Sequence, residues 1–600
     1  VLPSEEYVQR LSSRRLRIAH FEKIHIWLGN VRLILAVMFV VAAWASFGRH
    51  YFSAWWLALF VVAFTGVASR HSRILREREL AERAAAFYER GLARIEDRWA
   101  GSGETGEHYD DPHHVYASDL DLFGNASLFQ LLSIARTRMG EDTLAHWLLA
   151  PARVEQILER QAAVRELSDQ IDLREDLAVL GEDIGVGVHP EALLRWAESS
   201  NQMKPPVLRW LALVLAVLAV VFAIVWAAWH VVTPFVAVVV IEAAVTYRLR
   251  KALDAVLHET EHAFRNLDLL SGVLARVEAH RFQSPRLQTL QRELLSGGVP
   301  ASTAIARLRS LVELIEGRHN VLVRIIDAPL MYSVQVAFAA ERWRKLHGSG
   351  LRAWVNAVGE MEALVSLAAY SFEHPADTFA SFTEGAAAFS AEYLGHPLLP
   401  AASCVRNDVS ISGDTRVLLI SGSNMSGKST LIRAVGINVV LAMAGAPSRA
   451  RSLTVTPLQV GASVRINDSL REGSSRFYAE ITRLRQILDL AGDSAGDLAA
   501  GRPPLLFLLD ELLQGTNSKD RRIGAQGVVR ALVNRGAIGM VSTHDLALTD
   551  IGDVVAGRLR NVHFQDEFEN GKMIFDYTLR DGLVTKSNGL ELMRSIGLDV

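Results

Sequence analysis

The stretch VLLISGSNMSGKST, Val417 to Thr430, constrains the fold of this chain more than any other. Val417 to Ile420 are apolar and read as a short buried strand, and Leu431-Ile432-Arg433-Ala434 opens a helix. Between them, Gly422-Ser423-Asn424-Met425-Ser426-Gly427-Lys428-Ser429 satisfies the pattern GxxxxGK[ST] in full, with Thr430 following. A strand that passes through a glycine loop into a helix N-terminus is the context in which this pattern cradles phosphate. The two glycines let the backbone curl so that successive N–H groups face one anion. Lys428 adds a full positive charge, and the Ser429 hydroxyl can ligate Mg²⁺. The chain is expected to bind a nucleoside triphosphate.

A phosphate loop does not cleave its ligand unaided. LLFLLDELLQGTN, Leu505 to Asn517, supplies five apolar residues followed by Asp510 and Glu511. Asp510 is expected to hold Mg²⁺ through water, and Glu511 to orient and polarise the attacking water. A further apolar strand, Ala537 to Val541, ends in Ser542-Thr543-His544-Asp545. A histidine there can hydrogen-bond a γ-phosphate, although a strand-end histidine satisfied by its neighbours is the plain alternative.

At 600 residues the chain has room for three or four domains at roughly 150 residues each. A net charge of −3 leaves no global basic field of the sort many nucleic-acid binders carry, though a local basic surface remains open. Cys404 is the sole cysteine, which excludes an intrachain disulfide and suits a reducing compartment.

Four apolar runs explain the positive mean hydropathy. Leu33 to Phe47 and Ser53 to Ala68 form one pair, and Trp210 to Trp229 with a run from Pro234 to Tyr247 form the second. Arg70, Arg73, Arg76 and Arg78 follow the first pair; Lys204 and Arg209 precede the second, and Arg248, Arg250 and Lys251 follow it. Arginine-rich outer flanks around short loops predict two transmembrane hairpins with both long ends in the cytoplasm. Buried helical hairpins of a soluble core are the alternative. Glu242 interrupts the fourth run and reads either as an intramembrane acid or as a group near the headgroups.

Between the pairs, Gly101 to Pro112 reads as a linker. His108, Asp110, Asp111, His113 and His114 cluster there without the fixed spacing of a metal site, which favours a solvated loop. From Ser118 apolar residues recur at three- and four-residue spacing, as in packed amphipathic helices.

GSNMSGKST, EGSSRFYAEI, LLDELLQGTN and VSTHD, in that order, resemble the ATPase domain of the MutS family of DNA mismatch-repair proteins, which belong to the ABC ATPase class. NVHFQDEFENGKMIFDYTLRDG and SNGLELMRSIGL are similar to that family's C-terminal strands and closing helix, and DLFGNASLFQLLSIARTRMGEDTLAHWLLAP to the start of its helical core. The resemblance implies ATP with Mg²⁺ as ligands and a homodimer whose two ATP sites are completed across the interface. Ser475, with Ser474 as an alternative, matches the serine presented in trans to the partner's γ-phosphate, and Asn424 helps arrange the phosphates. Thr516 and Asn517 occupy a turn that contacts the opposite subunit. Where the family commonly has Gly-Arg, this chain reads Leu513-Gln514. Only 117 residues precede the core-like segment, and two apolar runs occupy many of them, so a mismatch-recognition domain is expected to be missing. Phe87-Tyr88-Glu89 has the letters of the family's mismatch wedge, but it lies in an arginine-rich helical stretch and reads as coincidence.

The expected architecture is multidomain. An N-terminal segment (1–100) carries the first transmembrane hairpin (about 31–69), and a linker (101–117) follows. A helical core or lever (118–400) is interrupted by the second hairpin (about 207–247), and an α/β P-loop ATPase domain of ABC type (401–600) ends the chain. The expected function is a MutS-like ATPase at the cytoplasmic membrane, ATPase domain facing the cytoplasm, linked to DNA binding and mismatch repair. The alternative is a membrane-embedded mechanochemical ATPase acting on a protein or membrane partner.

Overall fold

The computed structural model describes the chain apart from residues 1, 50, 52, 182–189, 200–206, 265–267, 296–297, 318–326, 328, 424, 466–475, 493–501, 515, 545–554, 556, 570–571 and 585–600. Helix α1 (Pro3–Ala43) starts where a helix should, with proline at its first position and Glu5 and Glu6 in its first turn. A π-helical turn, Trp44–Gly48, ends it, and α2 (Leu57–Ile95) returns alongside. The antiparallel register is fixed by facing side chains: Tyr7 meets Tyr88 at 5.5 Å between ring centroids, and His25 Nδ1 lies 2.7 Å from His71 Nε2.

The hairpin therefore has two ends of different character. Its base buries Tyr7, Leu11, Ala85, Phe87 and Tyr88 against Ile171 and Ala178. Its tip carries the apolar runs facing outward, with Trp55 87% and Val62 70% exposed. Phe87 and Tyr88 are both buried, so this segment presents no wedge.

A second hairpin joins α8 (Val207–Trp229) to α9 (Thr233–Phe264), with Trp226 stacked on Phe235 at 5.7 Å. Among the described residues, three helical segments are long and apolar enough to cross a membrane: Pro3–Gly48, Ala54–Ile95 and Val207–Trp229. The fourth expected run falls short for a physical reason. Its apolar part, Thr233 to Tyr247, is only roughly 22 Å long at 1.5 Å per residue. The same helix then continues into Arg248, Arg250, Lys251 and Asp254.

Short helices α3 (Leu128–Leu132), α4 (Arg138–Leu149), α5 (Val154–Ser168), α6 (Ile171–Gly181) and α7 (Pro190–Glu198) precede the second hairpin, and α10 (Asp268–Ala279), α11 (Pro285–Leu294) and α12 (Ala301–Gly317) follow it. Of these, α3, α4, α5, α7, α11 and α12 pack on α13 (Tyr332–Glu373), a 42-residue helix whose apolar stretch from Trp354 onward is buried on nearly every side, while α6 and α10 pack on each other. A helix apolar all round belongs inside a core.

Strands begin at Thr378, ahead of residue 401: β1 (Thr378–Phe379), β2 (Ser381–Phe382) and β3 (Phe389–Leu394). With β4 (Asn407–Ile411), β6 (Pro447–Ser448) and β7 (Ser452–Val455) they form a four-stranded sheet in the order β2-β7-β3-β4 and the pair β1-β6. The main sheet has the order β12-β11-β5-β10-β9-β8. Its members are β5 (Val417–Ser421), β8 (Gln459–Ser463), β9 (Leu505–Leu509), β10 (Ile538–Thr543), β11 (Leu559–Glu569) and β12 (Lys572–Asp581), all parallel except the edge strand β12.

Strands covered on both faces read as unbroken apolar runs, which explains VLLIS and LLFLL. Side chains alternate between two cores. Leu418, Ile420, Leu506 and Leu508 join α14 (Lys428–Ala444) and the helical region in one core. Val417, Leu419, Leu505 and Phe507 face α15 (Arg476–Leu490) and α16 (Ser518–Asn534) in the other.

Candidate functional site

Strands β5, β10 and β9 lie side by side, with Leu418 paired to Met540 and Met540 to Leu508. Each is parallel, so their C-terminal ends open on one edge, the place where doubly wound sheets bind ligands. The turn after β5 needs unusual backbone. Met425 and Gly427 have φ of 73° and 102°. A Cβ on Gly427 would stand 3.1 Å from the Tyr577 ring, and one on Gly422 only 2.8 Å from Ser426 Oγ. Glycine is the residue that fits both places.

Lys428 opens α14 and is buried. Its ammonium donates to the carbonyls of Gly422 (2.9 Å) and Ser423 (2.7 Å), so the lysine closes the loop on itself. Burial pulls its pKa below the ordinary lysine value, against the attraction of Glu511, Asp510 and Asp566. Ser423 Oγ and Ser426 Oγ are buried in the loop without protein hydrogen bonds.

At the end of β9, Asp510 accepts a hydrogen bond from Ser542 Oγ on β10 and donates its own N–H to the Ser463 carbonyl at 2.9 Å. Glu511 sits at φ 49°, and its N–H donates to Ser542 Oγ at 3.2 Å. Gln514 Nε2 donates to one oxygen of the Glu511 carboxylate, and His544 Nδ1 lies 3.5 Å from the other. Leu513 adopts φ 57°, a region that favours glycine, and its N–H donates to the buried Glu480 carboxylate of α15. The pair Leu513-Gln514 therefore carries a strained turn with a side chain that grips Glu511.

Asp510, Glu511 and Gln514 line a cavity of about 580 Å³. Lys428, Ser429, Thr430, Asp510 and Glu511 line it, together with the apolar side chains of Leu399, Val405, Phe564 and Tyr577. His396 is also on the wall. Burial, with Arg433 and Arg449 nearby, pushes its pKa down to about 4, and its Nδ1 accepts from the Leu398 N–H, so the ring is neutral. Asn407 fixes the strand that carries Tyr577: its amide donates to the Tyr577 carbonyl at 3.0 Å and accepts from the Leu579 N–H at 2.7 Å.

Of the residues expected from sequence, Gly422, Ser423, Met425, Ser426, Gly427, Lys428, Ser429, Thr430, Asp510, Glu511 and His544 meet on this edge. Asn424, Ser474, Ser475 and the tail SNGLELMRSIGL lie outside the described residues. Asn517 caps α16, its side chain accepting from the Asp520 N–H at 2.9 Å. Among the described residues no three His, Cys, Asp or Glu side chains gather as a metal-holding group. Sequence reasoning missed His396 and Tyr577 and read Gln514 only as a departure from the family pattern. His396 lies in LGHPLLP, whose turn chemistry masked it, and nothing local marks Tyr577.

Residues 418–599 match the family model MutS domain V. The chain is 33% identical over 269 residues to DNA mismatch repair protein MutS 2 of Halobacterium salinarum, covering 44% of this chain and 28% of that protein. It is 33% identical over 211 residues to Endonuclease MutS2 of Thermus thermophilus, covering 34% and 25%. Over 210 residues it is 33% identical to DNA mismatch repair protein MutS of Shouchella clausii, covering 34% and 23%. The matched stretches thus span about a quarter of each relative's length. The likeness to MutS proteins is thus carried by the C-terminal part of the chain, where residues 418–599 match MutS domain V.

Proposed function

We propose that this chain is a membrane-anchored, MutS-like ATPase in which ATP binding and hydrolysis drive a conformational change of a homodimer. The observation that carries the reading is the meeting of Lys428, Ser429, Asp510 and Glu511 around one cavity, with His544 3.5 Å from Glu511. Loop N–H groups and Lys428, released from its two carbonyls, would hold the phosphates. The apolar side chains of Leu399, Val405 and Tyr577 would take the base. The Ser429 hydroxyl and Asp510 carboxylate are hard oxygen donors on the same wall and suit Mg²⁺, which when bound neutralises phosphate charge. Glu511, with one oxygen held by Gln514, would orient the attacking water, and His544 would donate toward the γ-phosphate. Asn424 would help arrange the phosphates, and Ser475 of the other subunit would complete the site.

Membrane anchoring is supported by the outward-facing apolar tip of the first hairpin and by α8. Apolar bands of this extent are rarely left to water. The arginines at 70, 73 and 76 follow the apolar run and would keep the ATPase domain on the cytoplasmic side. A DNA-directed role in mismatch repair is supported by the names of two relatives, each a DNA mismatch repair protein. The alternative load is the membrane or a protein in it.

Nucleotide binding by the Lys428→Ala variant tests the engine: binding should be lost, and retention at parental affinity overturns the assignment. Extraction of membranes with high salt tests the anchor, which is refuted if the protein becomes soluble without detergent. Titration of matched, mismatched and branched duplexes across a salt series, with and without ATP, separates the loads. The absence of saturable binding in every nucleotide state leaves the membrane reading.

A further inference from the structure

A small cavity of about 120 Å³ lies where the first hairpin meets the helical core, walled by α2, the loop at 99–104 and the segment 130–136. Its walls are rich in hydrogen-bond donors. Gln130 is 4% exposed, and its Oε1 accepts the N–H groups of Gly101 (3.2 Å) and Ala126 (2.8 Å). Those two donors fix the amide orientation, since a flipped amide would turn its NH₂ against them. The Nε2 group on the other side is buried and has no hydrogen-bond partner.

Ser133 Oγ and Arg90 Nη2, on the same walls, are likewise buried and unpartnered. The Arg136 side chain also lines the cavity. Arg94 does too, but it is committed to Glu373 through Nε and Nη2, both at 2.6 Å. Glu104 is the one carboxylate on the wall, and it is exposed at the rim.

A buried donor without a partner is unfavourable, and more so when it is charged. Three such donors on side chains that line one space, with a guanidinium among them, call for an acceptor that carries negative charge. We propose that this cavity binds a tetrahedral oxyanion of the phosphate class, held by Arg90, Gln130, Ser133 and Arg136. The volume equals roughly four waters at about 30 Å³ each, room for one such anion and for no nucleoside. A bilayer headgroup does not reach it: Arg90 stands 22 residues past Ala68 on the same helix, roughly 33 Å at 1.5 Å per residue. The ligand is therefore a soluble ion, either inorganic phosphate or the head of a small phosphomonoester.

The test uses the full chain in detergent with Lys428→Ala, which removes the phosphate loop as a competing site. Inorganic phosphate is titrated calorimetrically at constant ionic strength in chloride, with glycerol phosphate as a second arm to separate the two sources. One saturable equivalent is expected, weakened tenfold or more by Arg90→Gln, since hydrogen bonds to charged groups are each worth about 1.5–3 kcal/mol. Ser133→Ala, which removes only a hydroxyl, should weaken it several-fold and decides the matter if Arg90→Gln does not fold. Phosphate should also raise the melting temperature of the Lys428→Ala protein and not that of Arg90→Gln in the same background. No saturable binding of either probe, or equal binding with and without Arg90, overturns the proposal and leaves the cavity to water.

Discussion

The base of the first hairpin is clasped to the end of α13 by a buried ion pair. Glu373, the last residue of that helix, accepts two hydrogen bonds of 2.6 Å from Arg94 and one of 3.3 Å from Tyr7. The two charged side chains are 9% and 0% exposed. Glu373→Gln keeps the shape and removes the charge, leaving the Arg94 guanidinium buried without a counter-ion. The amide oxygen still accepts from one guanidinium N–H while the NH₂ opposes the other, so one charge-assisted hydrogen bond worth about 1.5–3 kcal/mol is lost and the second is weakened. Breaking a buried pair from one side typically costs about 3–5 kcal/mol.

The effect should be local, because the hairpin touches the core mainly at this base. Amide hydrogen exchange over residues 85–95 in detergent should speed up by roughly a hundredfold or more, at about 1.4 kcal/mol per factor of ten. Replacing both partners, Arg94→Met with Glu373→Leu, should restore much of the protection, since an apolar pair leaves nothing unpaired. A change below threefold in the single variant, or a double variant as unprotected as the sum of both singles, refutes the clasp.

Two further outcomes are expected. Cys404, the sole cysteine, lines the cavity beside Lys428, so on the proposed function saturating ATP should slow its alkylation several-fold in the parent and leave it unchanged in Lys428→Ala. Burial raises Glu362 to about 7, outweighing the hydrogen bonds from Thr137 and the Arg136 N–H, and burial raises Glu141 to about 7 as well. A raised carboxyl binds its proton more tightly in the folded state. The stability it contributes is thus full below the unfolded value of about 4.3 and lost as pH rises through about 7. Melting temperature should fall between about pH 4.3 and 7, less steeply in Glu362→Gln, and equal slopes in the two proteins contradict the shift.

How much of this was legible in the sequence follows from where each residue's environment is made. The loop from Gly422 to Ser429 and the acids after β9 were legible as neighbours of strands because strand, turn and helix are contiguous there, and a doubly covered strand writes itself as an unbroken apolar run. Their grouping was legible through the order of the motifs. Gln514 was seen only as a departure. Its hold on Glu511 depends on the turn set by Leu513 at φ 57° and anchored to Glu480 on another helix. Tyr577 and His396 reach the cavity from strands and loops over a hundred residues from one another, and no local pattern encodes that approach.

The hairpin was legible at its tip, where apolar runs are dense, but not in its length. Helix α1 starts at Pro3 because its charged half, with Glu6 and Arg10 one turn apart, is as good a helix former as its apolar half. The donor-lined cavity was invisible to sequence, since Arg90 and Gln130 meet only through the packing of α2 on the core.

The most direct test of the central claim is single-turnover ATP hydrolysis by the purified protein in detergent, comparing the parent with Glu511→Gln. The account predicts that Glu511→Gln binds ATP as tightly as the parent yet retains it uncleaved, with turnover lower by two orders of magnitude or more. Hydrolysis at the parental rate in Glu511→Gln would contradict it.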